Sequence, residues 1–388
     1  MISILNPSDI QVKSNGEYVG IRILPSASQT TRPYHIALLI DVSGSMNADG
    51  RLTTVQQTLR LLVDQMRDDN ALTLVAYNHT AEVLCSAESN KDAIRARIDS
   101  LQALGGTCME AAFMALQGVA VDAVFVLTDG EVNQGISSVA GLRSLAATCF
   151  PRIAVHTLGY GADHNAELLR AISVASRASY TYADADEMIP AVVGSIVGGL
   201  QDEVVKDVEV VWEGNATCLE MGSEVGRYWV GSLIAEKEQW IVFEGVPENL
   251  CIRWRDGSLQ LPSVEEGDEV VPHIFRTQSV ALFERIRENP RGLWLVDIDD
   301  LETRIIRSGM QGHPMVIRIL AEVAEMREFL RRPQAAHLTR LISNMQQFSV
   351  QRGADFTSPT QRMVSGQMVD RFMTQDPTGS NSQDPVET

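Results

Sequence analysis

Two aspartates and three hydroxyl residues carry the most specific chemistry in this chain. Asp41-Val42-Ser43-Gly44-Ser45 stands where an apolar run ends. Gly105-Gly106-Thr107 directly precedes a helical pattern, and Thr128-Asp129-Gly130 closes a second apolar run. The set offers oxygen donors and neither Cys nor His. Oxygen ligands suit hard divalent cations, which here means Mg²⁺ before Mn²⁺ or Ca²⁺. Three neutral hydroxyls and at most two carboxylates leave a six-coordinate ion with at least one exchangeable water. Taken alone, D-x-S-x-S also fits a capping turn in which Ser45 or Asp49 opens the helix that follows.

The elements around these residues have a consistent order. Tyr34–Asp41 (YHIALLID) and Val121–Thr128 (VDAVFVLT) are short, continuously apolar runs of the kind that form strands buried on both faces. Between and after them, helical spacing (Leu59, Leu62, Val63, Met66) alternates with strand-like runs as far as Gly199. Helices are expected over 52–66, 91–101, 109–116, 139–148, 166–176 and from Met188, and strands over 72–77, 83–85, 153–158 and 180–182. Such alternation predicts an α/β fold, a doubly wound and mostly parallel sheet with helices on both faces. Ligands of open parallel sheets bind beyond the carboxyl ends of the strands, where Asp41 and Asp129 fall.

These residues resemble the von Willebrand factor A domain family with its metal-ion-dependent adhesion site, whose pattern is D-x-S-x-S, then a Thr, then an Asp. Asp41, Ser43, Ser45, Thr107 and Asp129 fill all five positions in order, and the resemblance covers about Tyr34–Gly199. It implies that Ser43 and Ser45 bind the metal directly and that Thr107 joins in the ligand-competent state. It also implies that Asp41 and Asp129 act directly or through water, and that Gly44, Gly106 and Gly130 lie in the turns that face the partner. The continuation through Gly198-Gly199-Leu200 into Val204–Trp212 is similar to multidomain members such as inter-alpha-trypsin-inhibitor heavy chains and bacterial or viral relatives.

From Leu200 the hydrophobic period changes to two. Strands are expected over 204–212, 227–233, 239–244 and 251–254, separated by Gly- and Pro-containing turns. The first 30 residues are also strand-like and too few to fold alone, so residues 1–30 are expected to join residues 201–272 in an antiparallel β-sandwich. The A domain, residues 31–200, is then an insertion. Residues 273–347 form a helical region, where Val316, Leu320, Val323, Met326 and Leu330 make one apolar stripe. Residues 348–388 are expected to be a mostly flexible acidic tail, disordered beyond Met373.

The chain has 388 residues, 32 Lys+Arg against 50 Asp+Glu, and a net charge of −18. That balance excludes a general nucleic-acid binder, which needs a basic face. The five cysteines are scattered and never paired as C-x-x-C, which fits a reducing compartment. The amino terminus lacks the pattern of a secretory signal, and no apolar stretch is long enough to span a membrane, so a cytoplasmic or otherwise intracellular location is expected.

Other candidates read as structural: Asp297, Asp299 and Asp300 as first-turn helix acids, His79 as a surface residue, Cys108 as a buried helix cysteine, and Arg331-Arg332 as a solvated face. A haloacid-dehalogenase-type phosphoryl-transfer site would want a second Asp where Ser43 stands, and no G-x-S-x-G elbow accompanies the serines. The expected function is therefore non-enzymatic: a Mg²⁺-dependent module binding a partner protein's Asp or Glu. The alternatives are a subunit or scaffold of a larger assembly with a stabilising metal and, last, a metal-dependent hydrolase or phosphatase.

Overall fold

The computed structural model describes residues 5–27, 32–129, 132–161, 164–183, 188–220, 223, 225–351 and 357–374. A first hairpin, β1 (Ile10–Ser14) and β2 (Tyr18–Ile23), leads into β3 (His35–Asp41), in which only His35 is not buried. The alternating series follows as α1 (Arg51–Gln65), β4 (Ala71–Tyr77), β5 (Ala81–Glu88), α2 (Lys91–Asp99), α3 (Met109–Ala115) and β6 (Ala123–Thr128). It continues with α4 (Val139–Cys149), β7 (Ala154–Tyr160), α5 (Ala166–Ala175), β8 (Tyr180–Ala183) and α6 (Met188–Gln201). Six of these strands form one sheet in the order β5-β4-β3-β6-β7-β8, parallel throughout except for β5.

Alternate residues of each central strand enter different cores. Ala37, Leu39, Val124 and Val126 pack with α3, α4 and α5. Ile36, Leu38, Ile40, Phe125 and Leu127 pack with α1, α2 and α6. The sheet is therefore covered on both faces, which is why its strands are continuously apolar. Chain order runs outward from β3 in one direction and from β6 in the other, so the boundary between these strands is the topological switch point.

Beyond α6 come β9 (Glu203–Glu213), β10 (Thr217–Cys218), β11 (Arg227–Ile234), β12 (Gln239–Glu244), β13 (Glu248–Trp254), β14 (Gly257–Gln260) and β15 (Glu265–Glu266). They build two sheets, β10-β12-β2-β1-β15 and β11-β9-β13-β14. β12 pairs antiparallel with β2, Ile241 opposite Ile21, so the amino-terminal hairpin shares a sheet with the chain after residue 200. Val12, Ile21 and Phe243 from one sheet meet Val208, Val210 and Ile252 from the other in a common core.

The chain then turns helical with α7 (Val271–Glu288), α8 (Leu295–Arg307), α9 (Pro314–Arg331), α10 (Ala335–Val350) and α11 (Pro359–Thr374). α7 begins two residues before the helical region expected from residue 273, and Ile274 and Phe275 in its first turns are buried. Helix α10 covers the free edge of the parallel sheet. Gln346 accepts from the Tyr180 amide at 2.8 Å and donates to the Ala178 carbonyl at 2.6 Å, and Ser343 Oγ accepts from the Tyr182 amide at 3.1 Å. Two side chains thus satisfy backbone groups that a further strand would otherwise pair. Among the described residues no helix is long and apolar enough to cross a membrane.

The expectation of a mostly flexible segment over 348–388 needs correction, because α10 extends to Val350 and residues 359–374 form α11. Its seat is α6, where Gly194 and Gly198 leave a surface without side chains. A Cβ at either position would lie 2.8 Å from the Cα of Ser365 or Gln361, so the two backbones approach closely. Gln361 and Ser365 donate to the Ser195 and Ala191 carbonyls, both at 2.9 Å. Backbone proximity rather than a broad apolar stripe docks this helix, and hydrophobic periodicity does not report it. Residues 375–388, expected to be disordered, lie outside the described residues.

Gly198→Ala tests this packing with opposing effects. Alanine favours an isolated helix by roughly 0.5–1 kcal/mol, whereas an overpacked contact against backbone costs about 1–3 kcal/mol. Net destabilisation is expected in a denaturant titration, with faster amide exchange over 359–374. An increase in stability would show that the close approach does not constrain this helix pair.

Candidate functional site

Asp41 is the last residue of β3, and Thr128 and Asp129 end and follow β6. The parallel register aligns Ile40 with Leu127, which delivers the aspartates to one edge at the switch point. Asp41 is fully buried. Its Oδ1 accepts from the Ser43 amide at 2.8 Å and its Oδ2 from Thr128 Oγ1 at 2.6 Å. Burial pushes the carboxyl up to about 6; the hydrogen bonds from Thr128 and Ser43 oppose the rise, and the charge of Asp129 adds to it.

A continuous hydrogen-bonded chain links the other motif residues. Ser43 Oγ lies 3.0 Å from Ser45 Oγ, and Ser45 Oγ donates to Asp129 Oδ1 at 2.8 Å. The second oxygen of Asp129 accepts from Arg51 Nη1 at 2.7 Å. Arg51 opens α1 after a tight helical turn over Gly44–Gly50, in which Asp49 and Gly50 both have left-handed backbone.

Thr107 comes to the same edge on a loop tied to the first motif. The Gly44 amide donates to the Gly105 carbonyl at 2.9 Å, and the Leu104 amide to the Val42 carbonyl at 2.7 Å. Asn78 braces the loop from β4, its side chain donating to the Leu104 carbonyl and its carbonyl accepting from the Cys108 amide. Thr107 is buried. Its described hydrogen bonds run through the backbone: its amide donates to Asn133 Oδ1 at 2.9 Å, and its carbonyl accepts from the Asn133 and Gln134 amides.

A Cβ at Gly106 would sit 2.8 Å from both Asn133 Oδ1 and Gln134 Nε2, so a side chain there would displace these two side-chain ends from the loop. A Cβ at Gly44 would make only an ordinary 3.5 Å contact. Gly130 lies outside the described residues.

Asp41, Ser43, Ser45 and Asp129 therefore meet in one polar cluster with Thr107 on the adjoining loop. Among the described residues there is no group of three or more His, Cys, Asp or Glu that could hold a metal. The donors gathered here are instead hydroxyls with two carboxylates, both buried. Sequence inspection did not single out Arg51 or Asn133, and it noted Thr128 only as the residue before Asp129. Arg51 had one available signal, its place directly after the Asp49-Gly50 turn.

The remaining candidates are engaged elsewhere. Asp297, Asp299 and Asp300 pair with Arg285, Arg327 and Arg304. Cys108 is buried at the start of α3, and His79, Arg331 and Arg332 are exposed.

The family model for the von Willebrand factor type A domain matches residues 36–131. An uncharacterized Synechocystis protein is 32% identical over 162 residues, 39% of this chain and 38% of that one. The uncharacterized Escherichia coli protein YfbK is 28% identical over 204 residues, 50% of this chain and 36% of its own length. The matched region is thus little more than a third of either relative, and neither name assigns an enzymatic activity.

Two solved structures share the fold over most of the chain. A von Willebrand factor type A protein from Catenulispora acidiphila has a TM-score of 0.62 at 15% identity, covering 87% of this chain and 95% of that one. An ArnB paralog from Sulfolobus acidocaldarius has a TM-score of 0.59 at 12% identity, covering 88% and 97%. Residues 36–131 thus match a von Willebrand factor type A domain, and most of the chain shares the fold of a protein of that type.

Thr128→Val keeps the side-chain shape and removes the hydroxyl that donates to buried Asp41. An acceptor left unsatisfied in this way costs about 1–3 kcal/mol, with charged groups at the upper end. A loss in that range is expected on urea unfolding without added metal. An unchanged midpoint would mean that water replaces the hydroxyl at Asp41.

Proposed function

We propose that the carboxyl-edge cluster holds a divalent cation, Mg²⁺ before Mn²⁺ or Ca²⁺, and through it captures an Asp or Glu side chain of a partner protein. The observation that carries this reading is the hydrogen-bonded chain from Ser43 through Ser45 to Asp129, with buried Asp41 bonded to the Ser43 amide. These oxygens already lie within hydrogen-bonding distance of one another, and two adjacent buried carboxylates are an environment that favours added positive charge.

In this reading the Ser43 and Ser45 hydroxyls are direct ligands, and Thr107 is a further one presented by its braced loop. Asp41 and Asp129 supply charge directly or through water. Gly106 admits Asn133 and Gln134 against the loop, which fixes Thr107 from behind. When bound, the ion supplies a Lewis-acidic position for the partner's carboxylate oxygen. No residue is assigned a catalytic role.

The partner is expected to present its acid on an otherwise neutral or basic surface. A chain of net charge −18 repels acidic proteins at low salt. A second reading, in which the helical region serves assembly, is favoured by Leu293, two residues before α8, and Val296 in its first turn, which are 91% and 74% exposed. Single exposed apolar residues are common, so this remains the subordinate reading.

Proximity labelling in cells with the wild-type chain and with Asp129→Ala tests the principal reading, followed by pull-down of each candidate with Mg²⁺ or with EDTA. A set of partners should be lost together in the variant and in EDTA. Recapture of the same partners at undiminished yield under both conditions would overturn the proposal.

A further inference from the structure

Both oxygens of Asp129 are already taken, Oδ1 by Ser45 and Oδ2 by the Arg51 guanidinium. Arg51 has two anions within reach. Asp129 has a side chain of zero exposure and lies at 2.7 Å from Nη1. Asp49, whose side chain is 86% exposed on the rim, lies at 3.8 Å from Nη2.

The turn that creates this arrangement is unusual for a residue with a side chain. Asp49 has φ 52° and ψ 24°, the left-handed region that Asp tolerates better than most residues, and Gly50 follows at φ 70°. The far side of the slot is Tyr160, whose ring centroid is 5.8 Å from the guanidinium carbon. Beside it is Gly161, where a Cβ would come 3.2 Å from Nη2. Arg51 thus occupies a shaped slot between a buried carboxylate and an exposed one.

We propose that Arg51 is a resident competitor for the cation site, held on Asp129 at rest and released to Asp49 when the site is loaded. This rests on the divalent-cation reading above. Seated on Asp129, the guanidinium takes a carboxylate oxygen that the site needs. Seated on Asp49, it frees that oxygen while staying in the same slot. The resting preference is for Asp129, because a charge-assisted hydrogen bond to a buried carboxylate is screened far less than an exposed pair. Leaving Asp129 without exchange would strand a buried charge, so Arg51 departs only as another cation takes its place. Asp49 lowers the cost of departure by receiving the guanidinium at the rim. A competitor of this kind weakens cation affinity at Asp129.

Mn²⁺ affinity measured by electron paramagnetic resonance on the full chain tests this, with thermal melts as a fold control. Arg51→Met should bind Mn²⁺ about tenfold more tightly, within the usual five- to 150-fold range of coupling between two binding events. Its melting temperature should fall without metal and recover with it. Asp49→Asn, which keeps the left-handed turn, should bind about two- to fivefold more weakly. The same change made in Arg51→Met should have no effect.

Unchanged or weaker binding by folded Arg51→Met would overturn the proposal. So would a loss from Asp49→Asn that persists without Arg51, because Asp49 would then act on the cation itself. Should Arg51→Met fail to fold, Arg51→Gln is judged by the same criterion. Asp129→Ala separates the two claims: binding by wild type and none by Asp129→Ala upholds the cation site whatever Arg51→Met does. No Mn²⁺ binding by wild type at millimolar concentration would remove both.

Discussion

Two carboxylates buried side by side where β3 and β6 end are the constraint around which this domain is organised. An ionised carboxylate out of water is costly unless hydrogen bonds or opposite charge compensate it. Asp41 is compensated by hydrogen bonds alone, from the Ser43 amide and the Thr128 hydroxyl, and its carboxyl sits high, at about 6. Asp129 is compensated by a hydroxyl on one oxygen and a guanidinium on the other. The motif loops, the tight turn before α1 and the Asn78 brace all serve to bring those donors to the edge. An edge built to neutralise buried anions is also one that attracts cations, so structural need and proposed function share one physical cause.

That edge stays in register only if the sheet beneath it does not slip or extend. A parallel sheet buried on both faces is stiff at its centre, but its outer strand has unpaired backbone groups. β5 closes one side antiparallel. At the other, Gln346 and Ser343 of α10 take the place of a neighbour to β8. α10 shares its apolar core with α5, α7 and α9, so the carboxyl-terminal helices are part of the packing that supports the sheet. α11 adds a brace on the opposite face through the glycines of α6.

Much of this was legible because it depends on local pattern. Continuous apolar runs, one ending in Asp and the other directly followed by it, gave β3 and β6. The period of the intervening segments gave helices, and strict alternation gave a mostly parallel sheet with Asp41 and Asp129 at its carboxyl edge. The relation of Asp41 to Ser43 and Ser45 was visible because those residues are close in sequence. Contacts made across the fold were not visible. Arg51 reaches Asp129 over 78 residues, and Gln346 reaches Tyr180 over 166. No composition or period encodes such pairs. α11 escaped for a different reason: its docking rests on the absence of side chains on α6, and a hydrophobic pattern cannot register what is missing.

The charge of the whole chain and that of the proposed site act over different distances. A net charge of −18 acts over about 8–10 Å at physiological salt and disfavours encounter with acidic proteins. Within a few ångströms of Asp129 the local balance differs, because Arg51 already offsets one of the two carboxylates. An added divalent ion would bring that pocket, counted with Asp41, Asp129, Asp49 and Arg51, to neutrality, in a protein that is strongly negative elsewhere. On the proposed reading, selectivity follows from this opposition: the long-range field rejects acidic surfaces, and the short-range site demands a single carboxylate. If Arg51 sits on Asp49 when the site is loaded, its charge is offset there, and the ion alone supplies the attraction for the incoming acid. One arginine would then set how readily the empty site takes metal, while the metal sets the loaded site's hold on a partner.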